Sequence, residues 1–310
     1  MPWMFHVEQG LMTDTPIAAQ LADLTQRRAR LETNVVPLPD RTRVFVVANQ
    51  KGGVGKTTTT VNLAASLAAA GAKVLVIDLD PQGNASTALG AAHRVGDPGV
   101  YEVLIDGTPI AQVMQQSPER EGLYCLSSNI DLAGAESELY LAVARETRLR
   151  TAIEAFLAVA GREFHYVFID CPPSLGLLTV NALTAGHEVL IPVQCEYYAL
   201  EGLSQLLKTI GDVGKYLNPG LRLSTILLTM YDSRTNLAHQ VASDVREHFP
   251  RETLDAVIPR SVRVSEAPSF GQTVIAYDPG SPGAVAYQEA AHEVARRGAA
   301  VPASEPASGE

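Results

Sequence analysis

No run of eighteen or more apolar residues occurs in the 310-residue chain; its apolar stretches are short, as at Val44–Ala48 and Val74–Ile77. A transmembrane helix is therefore not expected. The first thirty residues hold no basic stretch followed by an apolar core, so the chain does not read as an exported one. Cysteine is scarce. Cys125, Cys171 and Cys195 are odd in number and far apart, which argues against a disulfide framework or a Cys-type metal site and fits a reducing cytoplasm. Basic residues are outnumbered, 24 against 34 acidic ones, and the net charge of −10 excludes bulk attraction to nucleic acid or anionic lipid; such binding would need a local patch. Neither an internal repeat of 20–50 residues nor a helix-turn-helix or zinc-finger signature is visible, so base-specific reading of DNA is not expected. What the chain does have is apolar side chain, 46% against 19% charged, enough for a sizeable core. Its length is near the limit for a single core.

Residues 1–41 form an extension of different character. Thr13-Asp14-Thr15-Pro16 reads as a helix start, with an oxygen-bearing cap and proline in the first turn. Ile17, Leu21, Leu24 and Leu31 then recur at helical spacing, and Arg27, Arg28 and Arg30 crowd the last turns, where cations suit the helix dipole. Pro37-Leu38-Pro39 ends the pattern. The reading is a short amphipathic helix and a proline linker, docked on its own domain or else contacting a partner or membrane; Met12 is an alternative start.

From residue 42 to 297 the pattern is strand, loop, helix, repeated. Candidate strands are Val44–Ala48, Val74–Asp78, Leu123–Ser127, Tyr166–Asp170, Val189–Val193, Ser224–Leu228 and Ala256–Ile258, short, β-branched and apolar throughout, as strands buried on both faces of a parallel sheet are. Helices are expected at Thr57–Ala70 and Ser137–Val159. The class is α/β, with sites at the carboxyl ends of strands. Residues 298–310 have no apolar periodicity and read as a disordered tail.

Gln50-Lys51-Gly52-Gly53-Val54-Gly55-Lys56-Thr57-Thr58 follows the first strand and opens a helix. It fits the phosphate-loop pattern G-x-x-x-x-G-K-[ST] loosely: Gln50 stands where the first glycine belongs, and Lys51 is an extra lysine. Glycines let backbone N–H groups turn towards phosphate oxygens, and the helix dipole points its positive end at them. Lys56 would neutralise the β- and γ-phosphates, Thr57 would take a position on Mg²⁺, and Thr58 would reach the α-phosphate. Asp78 and Asp80 are expected to end the second strand on one face, and Asp170 ends a strand with the apolar lead-in Val167-Phe168-Ile169.

These residues carry a family resemblance. KGGVGKT is similar to the deviant Walker A motif of the ParA/MinD superfamily of P-loop ATPases. VIDLDPQGNAS at 76–86, FIDCPPSLGLLT at 168–179, PVQCEYYALEGLSQLL at 192–207 and IPRSVRVSEAPSFGQ at 258–272 resemble the chromosomal ParA (Soj-type) branch, over about residues 43–297. The resemblance implies a three-layer P-loop fold, with a mostly parallel twisted sheet flanked by helices. It implies a slow, partner-stimulated ATPase that uses ATP and Mg²⁺. Lys51 would reach across a homodimer to the partner's nucleotide, two ATP molecules being buried face to face, and Gly52 would matter because a side chain there could obstruct that approach. Gly53, Val54 and Gly55 would cradle phosphate with Lys56, Thr57 and Thr58. Asp80 would orient the attacking water; Asp170 would hold Mg²⁺ through water, with Asp78 a weaker candidate beside the lysines. Adenine is placed near Thr229-Met230 and Ile258-Pro259-Arg260.

In such proteins the stimulating partner is ParB, bound to centromere-like DNA and offering a basic N-terminal segment. Arg234 and Arg263 match family positions that contact nonspecific double-stranded DNA, and Arg260, Arg246 and Arg251 could extend the patch. A few arginines on one face suffice for salt-sensitive binding even on an acidic protein. The expectation is a cytoplasmic, nucleoid-associated partition ATPase with no integral membrane association. The alternatives are a MinD-like membrane-associated switch, for which the C-terminal tail offers no anchor, and a metabolic enzyme with the same loop, such as a nitrogenase-type reductase or a dethiobiotin synthetase.

Overall fold

The computed structural model describes residues 16–161, 163–197 and 202–298. The chain separates into two compact units, to Val35 and from Val36. Of the first, the described part includes the helix Pro16–Thr33, with proline in its first position, Arg30 in its last turn and Arg27 and Arg28 in the turn before it, as the sequence reading expected of the last turns. Residues 13–15 of the expected start, and the expected tail beyond Gly298, lie outside the described residues.

The second unit is built on one eight-stranded sheet. Its strands are β1 (Arg43–Val47), β2 (Val74–Asp78), β3 (Gln115–Gln116), β4 (Leu123–Leu126), β5 (Tyr166–Asp170), β6 (Glu188–Gln194), β7 (Arg222–Tyr231) and β8 (Thr253–Pro259). They lie in the order β3-β4-β2-β5-β1-β6-β7-β8, parallel except for β3. β1, β2 and β5 are buried at every position, which is why their sequences are apolar without alternation. Each sheet face carries its own core. One packs Val46, Ile77 and Ile169 against helices that include Leu177–Ala185; the other packs Phe45, Val76 and Phe168 against Lys56–Ala69 and Pro282–Gly298. This is the expected three-layer arrangement. β3, two polar residues long, has no apolar signature and was not expected.

One expected helix is two. Ser137–Val159 divides into Leu132–Leu141 and Arg148–Ala160. Between them Ala144 takes φ +55°, which a continuing helix cannot accommodate. Asn181 bridges the break: its Nδ2 donates to Arg145 O at 2.8 Å, and its Oδ1 accepts from Leu149 N at 3.3 Å, serving backbone groups that a continuous helix would have paired internally.

The β8 edge is covered by the last helix. Glu293 Oε1 accepts from Asp255 N and Oε2 from Ala256 N, at 3.0 and 3.1 Å, while Arg297 donates to Thr253 O and holds Glu293 at 2.6 Å. At the sheet's amino end Arg43 makes a two-pronged pair with buried Glu188, at 2.7 and 2.9 Å, and donates to Val294 O.

Candidate functional site

β1 lies between β5 and β6, and the loop leaving it supplies the phosphate-type motif. Asn49 fixes the loop's start: its Nδ2 donates to Pro192 O at 2.8 Å, and its Oδ1 accepts from Lys51 N at 3.0 Å. Gly53 and Gly55 take φ +74° and +88°, left-handed conformations that glycine adopts without strain. Gly55 is the N-cap of the helix Lys56–Ala69. Val54 is buried, its carbonyl accepting from Thr229 Oγ1 at 2.9 Å, so the loop is tied to the end of β7.

The two lysines occupy different settings. Lys56 is 7% exposed and its Nζ donates to Lys51 O at 3.4 Å. Burial lowers its pKa, opposed by the charge of Asp170 and then by Cys171 and Asp80. The Lys51 side chain is 42% exposed, with its Nζ 4.0 Å from Glu196 Oε2; the other Glu196 oxygen accepts from Arg260 at 2.9 Å.

Asp78 and Asp170 are register partners at the ends of β2 and β5 and are fully buried. Burial raises both carboxyl pKa values, and the Asp78 charge adds to the rise at Asp170, against the hydroxyls of Thr57 and Thr60. Asp78 is well satisfied. Its Oδ2 accepts from Ser86 N and Oγ at 2.9 and 2.7 Å, and its Oδ1 accepts from Asp80 N at 3.1 Å. Asp170 Oδ1 accepts from Thr60 Oγ1 at 3.0 Å, but its Oδ2 is buried with no hydrogen-bond partner. An orphaned buried carboxylate oxygen, with the Thr57 hydroxyl near its group, suits a cation. Among the described residues no group of three or more His, Cys, Asp or Glu could hold a metal by itself, so Mg²⁺ here would draw its other ligands from phosphate and water.

Asp80 does not share the strand face with Asp78. β2 stops at Asp78, and Asp80 opens a turn in which its carbonyl accepts from Gly83 N at 2.9 Å and its Oδ1 from Gln82 N at 3.0 Å. The turn leaves its side chain half-exposed, free to face a nucleotide, while Asp78 is locked inside.

On the other flank, Tyr231 and Pro259 are register partners, and Arg260 N donates to Tyr231 O at 3.1 Å. This brings Met230, Pro259 and Arg260 together beside Thr229; Met230 takes φ +51°, a strained value for a non-glycine residue. Arg234 is 85% exposed and forks onto Asp232 at 2.8 and 2.7 Å, holding that carboxyl down to about 2. Arg263 is 56% exposed, 3.3 Å from Glu266 and 3.5 Å from Asp278. Arg246 reaches Asp255 O at 3.4 Å, and Arg251 O accepts from Arg297. All three cysteines are buried, and burial raises each thiol pKa.

The sequence reading missed Asn49, Thr60, Ser86 and Glu196. Thr60 was findable: four residues after Lys56, it shares that helix face. Asn49 and Glu196 reach Pro192 and Lys51 across more than 140 residues, and Ser86 meets Asp78 only once the Asp80 turn brings its helix back against β2.

Known proteins resemble this chain over most of its length. The family model for an AAA domain matches residues 42–223. The sporulation initiation inhibitor protein Soj of Bacillus subtilis is 50% identical over 256 residues, covering 83% of this chain and 99% of Soj. The chromosome partitioning protein ParA of Caulobacter vibrioides is 51% identical over 255 residues, covering 82% and 94%. Among solved structures, a cobyrinic acid a,c-diamide synthase from Mycobacterium smegmatis with bound ADP and magnesium is 41% identical with a TM-score of 0.70, covering 82% and 94%. The cell division ATPase MinD of Pyrococcus furiosus is 28% identical with a TM-score of 0.64, covering 82% and 98%.

Proposed function

Since the chain belongs to the ParA/Soj family of chromosome-partitioning ATPases, we propose that its ATP form is a sandwich dimer that binds nonspecific double-stranded DNA and is released when ParB stimulates hydrolysis. The observation that carries this reading is the contrast between the two loop lysines. Lys56, buried beside Asp170, serves its own subunit's β- and γ-phosphates; Lys51, on the surface, is placed to serve a partner's. The amides of Gly52, Gly53, Val54 and Gly55 cradle phosphate, with Thr58 at the α-phosphate. Mg²⁺, when bound, neutralises phosphate charge; Thr57 and the unpaired oxygen of Asp170 hold it, the latter through water, while Asp78 braces the Asp80 turn. Asp80 orients the attacking water, and Met230, Pro259 and Arg260 flank adenine. Hydrolysis in such a site is positioning plus charge neutralisation, and it stays slow until a partner completes it.

Arg234 and Arg263 contact DNA phosphate. Their pairs with Asp232 and Glu266 lie in solvent, where water screens an ion pair and leaves it weak, so phosphate can replace the carboxylates. Dimerisation doubles the patch and raises avidity, giving ATP control of DNA affinity. The protein is then cytoplasmic and nucleoid-associated, and no helix among the described residues is long and apolar enough to cross a membrane.

The test is binding of Asp80→Ala protein to random-sequence duplex at low salt, with ATP or ADP. Binding with ATP alone, falling steeply with salt and abolished by Arg234→Glu or Arg263→Glu, is expected. Binding under neither nucleotide, with the dimer confirmed by light scattering, refutes the DNA switch.

A further inference from the structure

Asp80 lies beyond the end of β2, so its position is set by the turn it opens and not by the sheet. At the base of that turn Asp80 N donates to Asp78 Oδ1 at 3.1 Å, and Gly83 N donates to Asp80 O at 2.9 Å. Gly83, at φ +63°, then caps the helix Asn84–Ala88, which is five residues long. So short a helix is not stable by itself, and turn and helix stand where their neighbours hold them. On the buried side Ser86 does this: its N and Oγ donate to Asp78 Oδ2, and its Oγ accepts from Ser128 N. Gly83 is held by close packing. A Cβ added there would come within 2.8 Å of Ser128 O and 2.9 Å of His93 Cδ2, so that carbonyl and the half-buried His93 ring fill the space of a side chain.

The ring is itself fixed from two directions. Its Nδ1 lies 2.8 Å from Ala91 O, a carbonyl, so Nδ1 carries the proton and donates. Its Nε2 lies 3.1 Å from Thr87 Oγ1, the same hydroxyl that donates to Gly83 O at 3.0 Å. The Thr87 hydroxyl therefore bridges the ring and the turn. The segment that carries the ring is secured by β3, the two-residue strand without an apolar signature. Gln115 accepts from Ala92 N and donates to Ala92 O, both at 2.8 Å, and Asn129 Nδ2 donates to Arg94 O at 3.0 Å. A polar edge strand, a fork onto Ala92 and a ring on Gly83 make one continuous support that ends at Asp80.

We propose that His93 is a positioning residue for hydrolysis: seated on Gly83 and bridged to it by Thr87, its ring fixes the Asp80 turn where the carboxylate can orient water. The inference deepens the reading of Asp80 given above and rests on it. Gly83 is the reason a support is needed, because glycine turns freely about its backbone and sets no limit of its own on the turn before it. Without the ring, the bonds of Asp78 and Ser86 still hold the base of the turn. The chain then folds and binds nucleotide, while the carboxylate takes several positions in place of one. A misplacement of about 1 Å can cost up to about 100-fold in rate. His93 and Thr87 lie outside the phosphate loop, so the loss falls on hydrolysis and not on binding.

The experiment measures single-turnover ATP hydrolysis by the full chain with Mg²⁺, together with ATP affinity and ATP-dependent dimerisation. His93→Ala should lower the rate constant about tenfold and leave ATP affinity and the dimer within about twofold. Glutamine places its amide where Nε2 stands, and asparagine where Nδ1 stands. His93→Gln, which keeps the Thr87 contact, should recover most of the rate; His93→Asn, which keeps only the Ala91 contact, should not. Thr87 is exposed and valine keeps its shape, so Thr87→Val folds, and it should also slow hydrolysis. Combined with His93→Ala it should be no slower than His93→Ala alone, because both changes break one bridge. A His93→Ala rate within about twofold of wild type, with Asp80→Ala inactive, overturns this proposal alone. Rescue by asparagine and not by glutamine overturns it, as does a paired loss equal to the product of the single losses. Weakened ATP affinity or a lost dimer in His93→Ala overturns it too and makes the ring a purely structural group. An Asp80→Ala protein that hydrolyses ATP as wild type does refutes the reading of Asp80 itself, and its support with it.

Discussion

Gly52 and Gly53 are neighbours in one loop, yet they should fail differently when given a side chain. Gly53 has φ +74°, so an alanine there carries left-handed strain of about 1–2 kcal/mol, although a Cβ would meet nothing within 4 Å. Gly52 is not among the positive-φ residues, and its Cβ would also enter open space. Gly53→Ala should thus lower the unfolding free energy of the nucleotide-free chain by about 1–2 kcal/mol, and Gly52→Ala should leave it within about 0.5 kcal/mol. In urea denaturation, with a slope of about 3 kcal/mol per molar for a chain of this size, the first change moves the midpoint by a few tenths of a molar and the second hardly at all. The open space beside Gly52 is where the proposed partner subunit approaches. Gly52→Val should therefore abolish ATP-dependent dimerisation in light scattering while ADP binding is kept. A Gly52→Val protein that dimerises like wild type refutes the face-to-face arrangement; a Gly52→Ala protein as unstable as Gly53→Ala refutes the conformational argument.

Ser86→Ala removes a charge-assisted hydrogen bond to buried Asp78 and leaves Ser128 N, which donates to Ser86 Oγ at 3.0 Å, without its partner; about 2–4 kcal/mol of stability should be lost, read by the same denaturation. Glu188→Gln breaks a buried pair with Arg43, for which about 3–5 kcal/mol is expected; a loss under 1 kcal/mol would mean that water solvates the Arg43 guanidinium in the carboxylate's place. Asp232, held at about 2 by Arg234, stays ionised on acidification longer than a free carboxyl, so its contribution is full above the ordinary carboxylate range and is lost as pH falls from that range through about 2. Carboxyl carbon shifts in NMR should show that low titration in wild type and its return to the usual range in Arg234→Gln.

Much of the architecture was legible because burial on both faces leaves a plain trace. β2 and β5 were expected with the bounds they have, and β1 within one residue: in β2 and β5 four buried apolar positions lead to the terminal aspartate, and in β1 four follow Arg43, whose buried charge is paired with Glu188. β7 runs to Tyr231 and from Arg222, further than its apolar segment, because its ends pair through backbone that the sequence does not mark. The split of Ser137–Val159 depended on Asn181, a residue thirty-odd positions away whose amide serves the break, and no local pattern could report it. At the site, glycines, lysines and strand-end aspartates announced themselves by type and spacing. Their supports mostly did not: Thr60 could be found by its spacing from Lys56, but Ser86 looks like an ordinary helical residue until the fold sets it against Asp78.

The carboxylate of Glu293, clamped by Arg297 over the amides of Asp255 and Ala256, has a consequence for assembly. A sheet's last strand is where a second chain can be added by backbone pairing, the route to fibrous growth. Here those amides are already spoken for by the final helix. An array of the proposed dimers cannot grow by zipping β8 to a neighbour's edge unless that helix first peels away. At this edge a longer array would have to be assembled from contacts between side-chain surfaces, which salt and single substitutions can tune.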